Sequence, residues 1–276
     1  MKKLVYSLML VALLVFAGCE KEWWLLPDVT DTTDTTYVPD TTDTPDEPDT
    51  IDTPDVPDTI DTPDVPDTVP SGDGLFSVSA GRKVRFAPGN LDYNGGYFFT
   101  AHQYDYGGHF GWGTGGNPTL TSTDDHDYPT FDDWGNHIAG GWRTLTFDEW
   151  RYVIRYRADA SAKRGAATVC GVPGMVLLPD NWSGGTFHAA SNGWSRNVYD
   201  ASSWSDMEDA GAVFLPAAGV RHGAEVEDVG AYGVYWSSTP DGEYDAYNMF
   251  FDECGFVGIG YCIRYYGRSV RLVQDY

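Results

Sequence analysis

From residue 74 onward, apolar residues fall in short runs punctuated by Gly, Pro, Asn or Asp. Eight runs read as strands: Leu75–Ser79, Lys83–Ala87, Met175–Leu178, Ala212–Leu215, Val234–Ser238, Ala246–Phe251, Phe256–Ile263 and Ser269–Val273. Each is brief, and most are bounded by turn-forming residues. Two segments switch to a helical period. Thr146-Phe147-Asp148-Glu149 is a capping box that leads into Trp150, Val153, Ile154 and Arg157 at helical spacing. Ser205-Asp206-Met207-Glu208 repeats the box and predicts a brief helix that ends near Gly211. Neither helix is placed to cross between parallel strands in a repeated pattern. The fold class is therefore α+β, with irregular antiparallel sheets and about two helices in one domain over residues 74–276.

The first 73 residues follow other rules. Lys2 and Lys3 precede an apolar run of 14 residues, Leu4 to Ala17, short of the ~18 to 20 that a permanent bilayer span needs. That pattern is an export signal over residues 1–18, removed on maturation. Phe16-Ala17-Gly18-Cys19 resembles the lipobox of bacterial lipoproteins, which implies diacylation of Cys19 and a membrane partner reached only through the lipid. Glu20-Lys21-Glu22 is similar to the surface-export signals behind lipidated cysteines in the Bacteroidetes. It implies an outer-membrane protein that faces the cell exterior. Residues 19–73 are an acidic Asp/Thr/Pro-rich stalk in which Asp49–Pro57 recurs as Asp58–Pro66. Regular prolines exclude helix and ladder, and the apolar content is too low to order the chain, so the stalk is expected to be disordered and extended.

Charge sharpens this division. Of the net −24, residues 1–19 carry +2, residues 20–73 carry −16 and residues 74–276 carry −10. An acidic domain on an acidic stalk has no electrostatic route to a phosphate backbone, which excludes nucleic acid as a partner class. Trp112, Trp134, Trp142, Trp150, Trp182, Trp194, Trp204 and Trp236 lie in the domain, mostly beside Gly or Asp. A loop-rich fold uses such rings as core, and that is their expected role.

With Cys19 lipidated, Cys170, Cys254 and Cys262 remain. Cys254 and Cys262 sit symmetrically about Gly258, so a hairpin turning there would oppose them as a disulfide. Metal chemistry has little support: the six His residues lack ligand spacing, and Asp124-Asp125-His126-Asp127 lacks the spacing of a calcium loop. No set of residues stands out as catalytic, and no cofactor is expected.

A wider pattern is carried by Phe86-Ala87-Pro88-Gly89-Asn90-Leu91, Phe110-Gly111-Trp112-Gly113, Gly141-Trp142-Arg143-Thr144-Leu145-Thr146, Leu177-Leu178-Pro179-Asp180, Leu215-Pro216-Ala217-Ala218-Gly219, Tyr235-Trp236-Ser237-Ser238-Thr239 and Gly267-Arg268-Ser269-Val270-Arg271-Leu272-Val273. These segments resemble the Fibrobacter succinogenes major paralogous domain and its Bacteroidetes relatives. The resemblance implies a C-type lectin-like fold in its formylglycine-generating-enzyme variant. Formylglycine-generating enzymes bind copper through a Cys pair, for which Cys254 and Cys262 would stand here without the surrounding motif. The calcium-binding tripeptides of C-type lectins are absent. Retroelement-diversified ligand-binding lipoproteins of the same fold present variable residues on a C-terminal hairpin. By that likeness the expected ligand-binding residues are Asp241, Glu243, Tyr244, Tyr247, Phe250, Asp252, Phe256, Tyr261 and Tyr265. The function implied is recognition of an extracellular protein or glycan rather than turnover. A structural or adhesive surface role, or a formylglycine-generating-type enzyme, stand as alternatives.

Overall fold

A computed structural model of the chain describes residues 74–189 and 193–276. The expected signal peptide, the expected lipidation site Cys19 and the expected stalk lie outside the described residues. The strands, in chain order, are β1 (Leu75–Ser79), β2 (Arg82–Phe86), β3 (Leu91–Tyr93), β4 (Tyr97–Phe99), β5 (Arg164–Val169), β6 (Val172–Leu177), β7 (Val198–Tyr199), β8 (Val213–Pro216), β9 (Val220–His222), β10 (Glu225–Glu227), β11 (Tyr232–Asp241), β12 (Asp245–Asp252), β13 (Val257–Ile263) and β14 (Val273–Asp275). Two α-helices join them, α1 (Phe147–Arg151) and α2 (Ala201–Asp209), and α1 runs on as a π-helical turn over Tyr152–Tyr156. No described helix is long and apolar enough to cross a membrane.

The strands form five small sheets: β1-β2-β14, β3-β4, β7-β5-β6-β8, β9-β10 and the meander β11-β12-β13. All strand pairs are antiparallel except the short β5–β7 contact. The expected α+β class with mostly antiparallel sheets and two helices is thus observed. β14 lies against β2 in register Val273↔Phe86, which brings the two ends of the domain together.

Apolar side chains bury themselves in three clusters. The first joins Phe76, Phe86, Trp150, Ile154, Met175, Leu215, Tyr235 and Phe251; the second joins Leu91, Phe110, Trp112, Trp134, Trp236 and Leu272; the third joins Val169, Val176, Trp204, Met207 and Phe214. Trp112, Trp134, Trp150, Trp204 and Trp236 are each at most 2% exposed, so the expectation of core tryptophans holds for these five. Trp142, Trp182 and Trp194 are partly covered.

Arg271 ties the clusters together. It is fully enclosed and donates from Nε to Asn90 Oδ1 (3.0 Å), from Nη1 to Ala87 O (3.0 Å) and from Nη2 to Phe214 O (2.6 Å). Asn90 Nδ2 donates to Tyr106 O (2.8 Å) and Tyr235 Oη (3.2 Å), and Tyr235 Oη donates to Pro216 O (2.9 Å). Burial pushes the Arg271 guanidinium down to about 10, with Tyr235 opposing. The motifs that carried the family likeness therefore meet at a buried hydrogen-bond network built on Arg271, Asn90 and Tyr235.

Local chemistry explains most element boundaries. Thr146 Oγ1 accepts from Glu149 N (3.2 Å) and Glu149 Oε2 accepts from Thr146 N (2.9 Å), which is the capping box expected for α1. α2 departs from expectation. It begins at Ala201 with Asp200 as its cap, so Ser205 and Asp206 lie inside it. Asp200 Oδ1 accepts from Ser203 N (2.9 Å) and Ser203 Oγ accepts from Asp200 N (3.0 Å). An Asp at the cap with Ser three residues on does the same work one turn earlier. The helix ends before Gly211, whose φ of +90° favours glycine, and a Cβ there would meet Gly74 Cα at 2.6 Å.

β5 was not expected. Its Gly165, Ala166 and Ala167 give it weak strand propensity, and pairing with β6 and β7 supplies the stabilisation instead. The run Ser269–Val273 makes the isolated bridges Tyr235↔Ser269 and Arg143↔Val273, and only its last residue, Val273, belongs to a strand, β14.

Candidate functional site

The meander β11-β12-β13 carries the residues expected to bind ligand, and its register decides which of them meet. Odd-numbered β12 residues Met249 and Phe251 face the first cluster, while Ala246 faces the second. Gly233 lies opposite Phe251, whose ring would sit 2.1 Å from any Cβ, so the small residue makes room for the large one.

The turn end between β11 and β12 collects six of the nine. Asp241 accepts a hydrogen bond from Tyr247 Oη (3.0 Å), and Tyr247 opposes Tyr261 across the ladder with ring centroids 6.2 Å apart. Tyr247 also packs on Phe147 of α1 at 4.4 Å. Burial and the hydrogen bond to Asp241 raise the Tyr247 hydroxyl above its ordinary value. Tyr244 stacks edge-on to His126 at 5.6 Å, and Glu243 sits beside it in the turn. Tyr265 follows the end of β13 and packs on Tyr266 at 5.1 Å. Asp245, between these groups, is raised by burial first and then by Asp241 and Asp125. Asp124 accepts from His126 N (3.0 Å) and closes a short 3₁₀ turn there. Among the described residues, no group of three or more His, Cys, Asp or Glu side chains is arranged to hold a metal ion.

The other three expected residues lie elsewhere. Phe250 is 3% exposed, because it lies over Gly258 and Gly260 and against Tyr232 and Phe256. It is a packing residue and leaves the contact list. Asp252 and Phe256 belong to the opposite turn, about 25 Å along β12 at strand rise. Asp252 Oδ1 accepts from Cys254 N and Phe256 N, each at 3.0 Å. Those bonds set the turn at residues 253–255, with Phe251 opposite Val257, rather than at Gly258. Cys262 consequently faces Ala246 and keeps a free thiol, while Cys254 sits in the turn. The expected Cys254–Cys262 disulfide does not form, and the register keeps Cys262 away from the turn that holds Cys254, so the two are not juxtaposed as a copper pair would require.

A cleft opens beside this second turn. It is lined by Asp252, Gly255 and Val257 around the turn, by Arg164, Gly165 and Ala166 of β5, and by Met175, Trp194 and Phe251. Trp194 meets Phe251 edge-on at 6.3 Å, and its Nε1 is buried without a hydrogen-bond partner. Arg164 donates from Nε to Ile154 O (3.1 Å) and makes no ion pair among the described residues. Burial lowers its pKa, and Arg155 adds to that. Sequence reasoning missed Arg164 and Trp194 as site residues. A basic residue heading a Gly-Ala-Ala run was the one available signal, since small residues leave open space above a strand.

No family model matches the chain, and neither a curated protein nor a solved structure matches it significantly.

Proposed function

We propose that this protein is a lipid-anchored outer-membrane protein whose 74–276 domain is a binding module of C-type lectin-like fold, displayed to the cell exterior on the acidic stalk. The observation that carries the binding role is the aromatic surface at the β11–β12 end of the meander. Tyr244 and Tyr261 are each 37% exposed there, beside Tyr247 and the acids Asp241 and Glu243. Tyrosines give contact area at low entropy cost, and neighbouring carboxylates add directional hydrogen bonds, as in other recognition surfaces. The α+β architecture and the family likeness support the lectin-like fold. The lipobox and the charged patch behind it support the location.

The test is a glycan and host-protein array probed with the purified protein, repeated with Tyr244→Ala/Tyr261→Ala. Both side chains are surface-exposed, so the variant is expected to keep its thermal midpoint. A captured ligand is expected to lose at least about tenfold in affinity, since two exposed aromatic anchors contribute about 1 kcal/mol or more each. Undiminished capture by the variant would remove this surface from the reading.

A further inference from the structure

The cleft beside the Asp252–Val257 turn contains chemistry that the aromatic surface does not use. Its floor is apolar, formed by Met175 and Phe251, and the Trp194 ring stands against it. The lining carries a cation. Arg164 is partly buried, its Nε is fixed by Ile154 O, and no carboxylate among the described residues balances it. A desolvated guanidinium without an anion is costly unless a ligand supplies one. The lining also carries an acceptor. Asp252 is fixed through Oδ1 by the Cys254 and Phe256 amides, which leaves Oδ2 without a partner among the described residues. Trp194 Nε1 adds a buried donor with no acceptor.

We infer that this cleft is a binding site for a small acidic sugar, a hydroxylated ring bearing one carboxylate. The planar Arg164 fork pairs with the carboxylate, Asp252 accepts from ring hydroxyls, Trp194 Nε1 donates to a ring oxygen, and the aromatic wall packs against the C–H face. Asp252 sets the selectivity, because it repels a second anionic group and so disfavours phosphate esters and dicarboxylates. This site stands apart from the proposed aromatic surface, at the other end of β12, and does not depend on it.

Isothermal titration of the full chain with glucuronate, galacturonate and N-acetylneuraminate, alongside glucose and glycine, tests the assignment. At least one acidic sugar is expected to bind, with glucose and glycine at least about tenfold weaker, the worth of one charge-assisted pair. Arg164→Gln is expected to weaken binding at least about tenfold and Arg155→Gln, outside the cleft lining, less than about threefold. Trp194→Phe, which keeps the ring and removes the N–H, is expected to cost several-fold. It serves as the probe should Arg164→Gln lower the thermal midpoint. Tyr244→Ala/Tyr261→Ala should bind the acidic sugar normally, which separates failure here from failure of the other surface. The assignment is overturned if no acidic sugar binds, if glucose or glycine binds as well, or if the Arg164 and Trp194 variants bind undiminished.

Discussion

Asp180 shows how single carboxylates hold this acidic domain together. It accepts from Ser77 Oγ (2.6 Å) and Ser77 N (3.0 Å), and it stands 3.4 Å from Arg157 Nη1 and 3.6 Å from Lys83 Nζ. Burial alone would raise its pKa, but the Ser77 bonds, Arg157 and Lys83 outweigh that and hold it below the usual carboxylate range. Glu149 and Asp275 are lowered in the same way, with Arg143 between them. A folded-state pKa below the unfolded value means that the unfolded chain binds the proton first. The stability these groups contribute is therefore complete at neutral pH and is lost as pH falls from about 5 through their folded values. Asp180→Asn is expected to cost about 1–3 kcal/mol at neutral pH, and to flatten the decline of the thermal midpoint between about pH 5 and 3. Parallel declines for the variant and the parent would show that Asp180 has no part in the acid response.

The elements were legible to different degrees, for physical reasons. α1 was readable because Thr146 and Glu149 form the commonest cap and the apolar residues behind them keep helical spacing. The start of α2 was obscured because two cap-like sequences follow closely on one another, and the one used, Asp200 with Ser203, reverses the usual chemistry. β5 was hidden by its small residues, and with it the Arg164 side of the cleft. Within the meander, the strands could be read but the turn could not, since its position depends on two amide bonds to Asp252. That error moved Cys262 and placed Phe250 among surface residues, because alternation follows register. Cap placement is testable. Asp200→Ala is expected to destabilise the domain by about 1 kcal/mol, whereas Ser205→Ala, inside the helix, should stay within about 0.5 kcal/mol. Denaturant midpoints in the reverse order would restore the later helix start.

At the scale of the whole domain, the question is what makes three apolar clusters and five small sheets behave as one body. Short strands in separate sheets contribute little cooperativity by themselves. Arg271 supplies a link, since its three donors reach Ala87 and Asn90 beside the second cluster and Phe214 in the third. Asn90 passes the link to Tyr235 in the first. Tryptophans report each cluster separately: Trp150 in the first, Trp112, Trp134 and Trp236 in the second, Trp204 in the third. In the parent chain, tryptophan fluorescence and far-ultraviolet circular dichroism are expected to follow one unfolding transition. Asn90→Ala strands the Arg271 Nε donor and removes the bond to Tyr235 in a single change, so a loss of about 3 kcal/mol is expected. Because the link between clusters is cut as well, the two signals should separate in that variant, with part of the fluorescence change preceding the main loss of sheet. A variant that is weaker but still unfolds in one coincident step would show that close packing alone joins the clusters, and that Arg271 and Asn90 only add to the total.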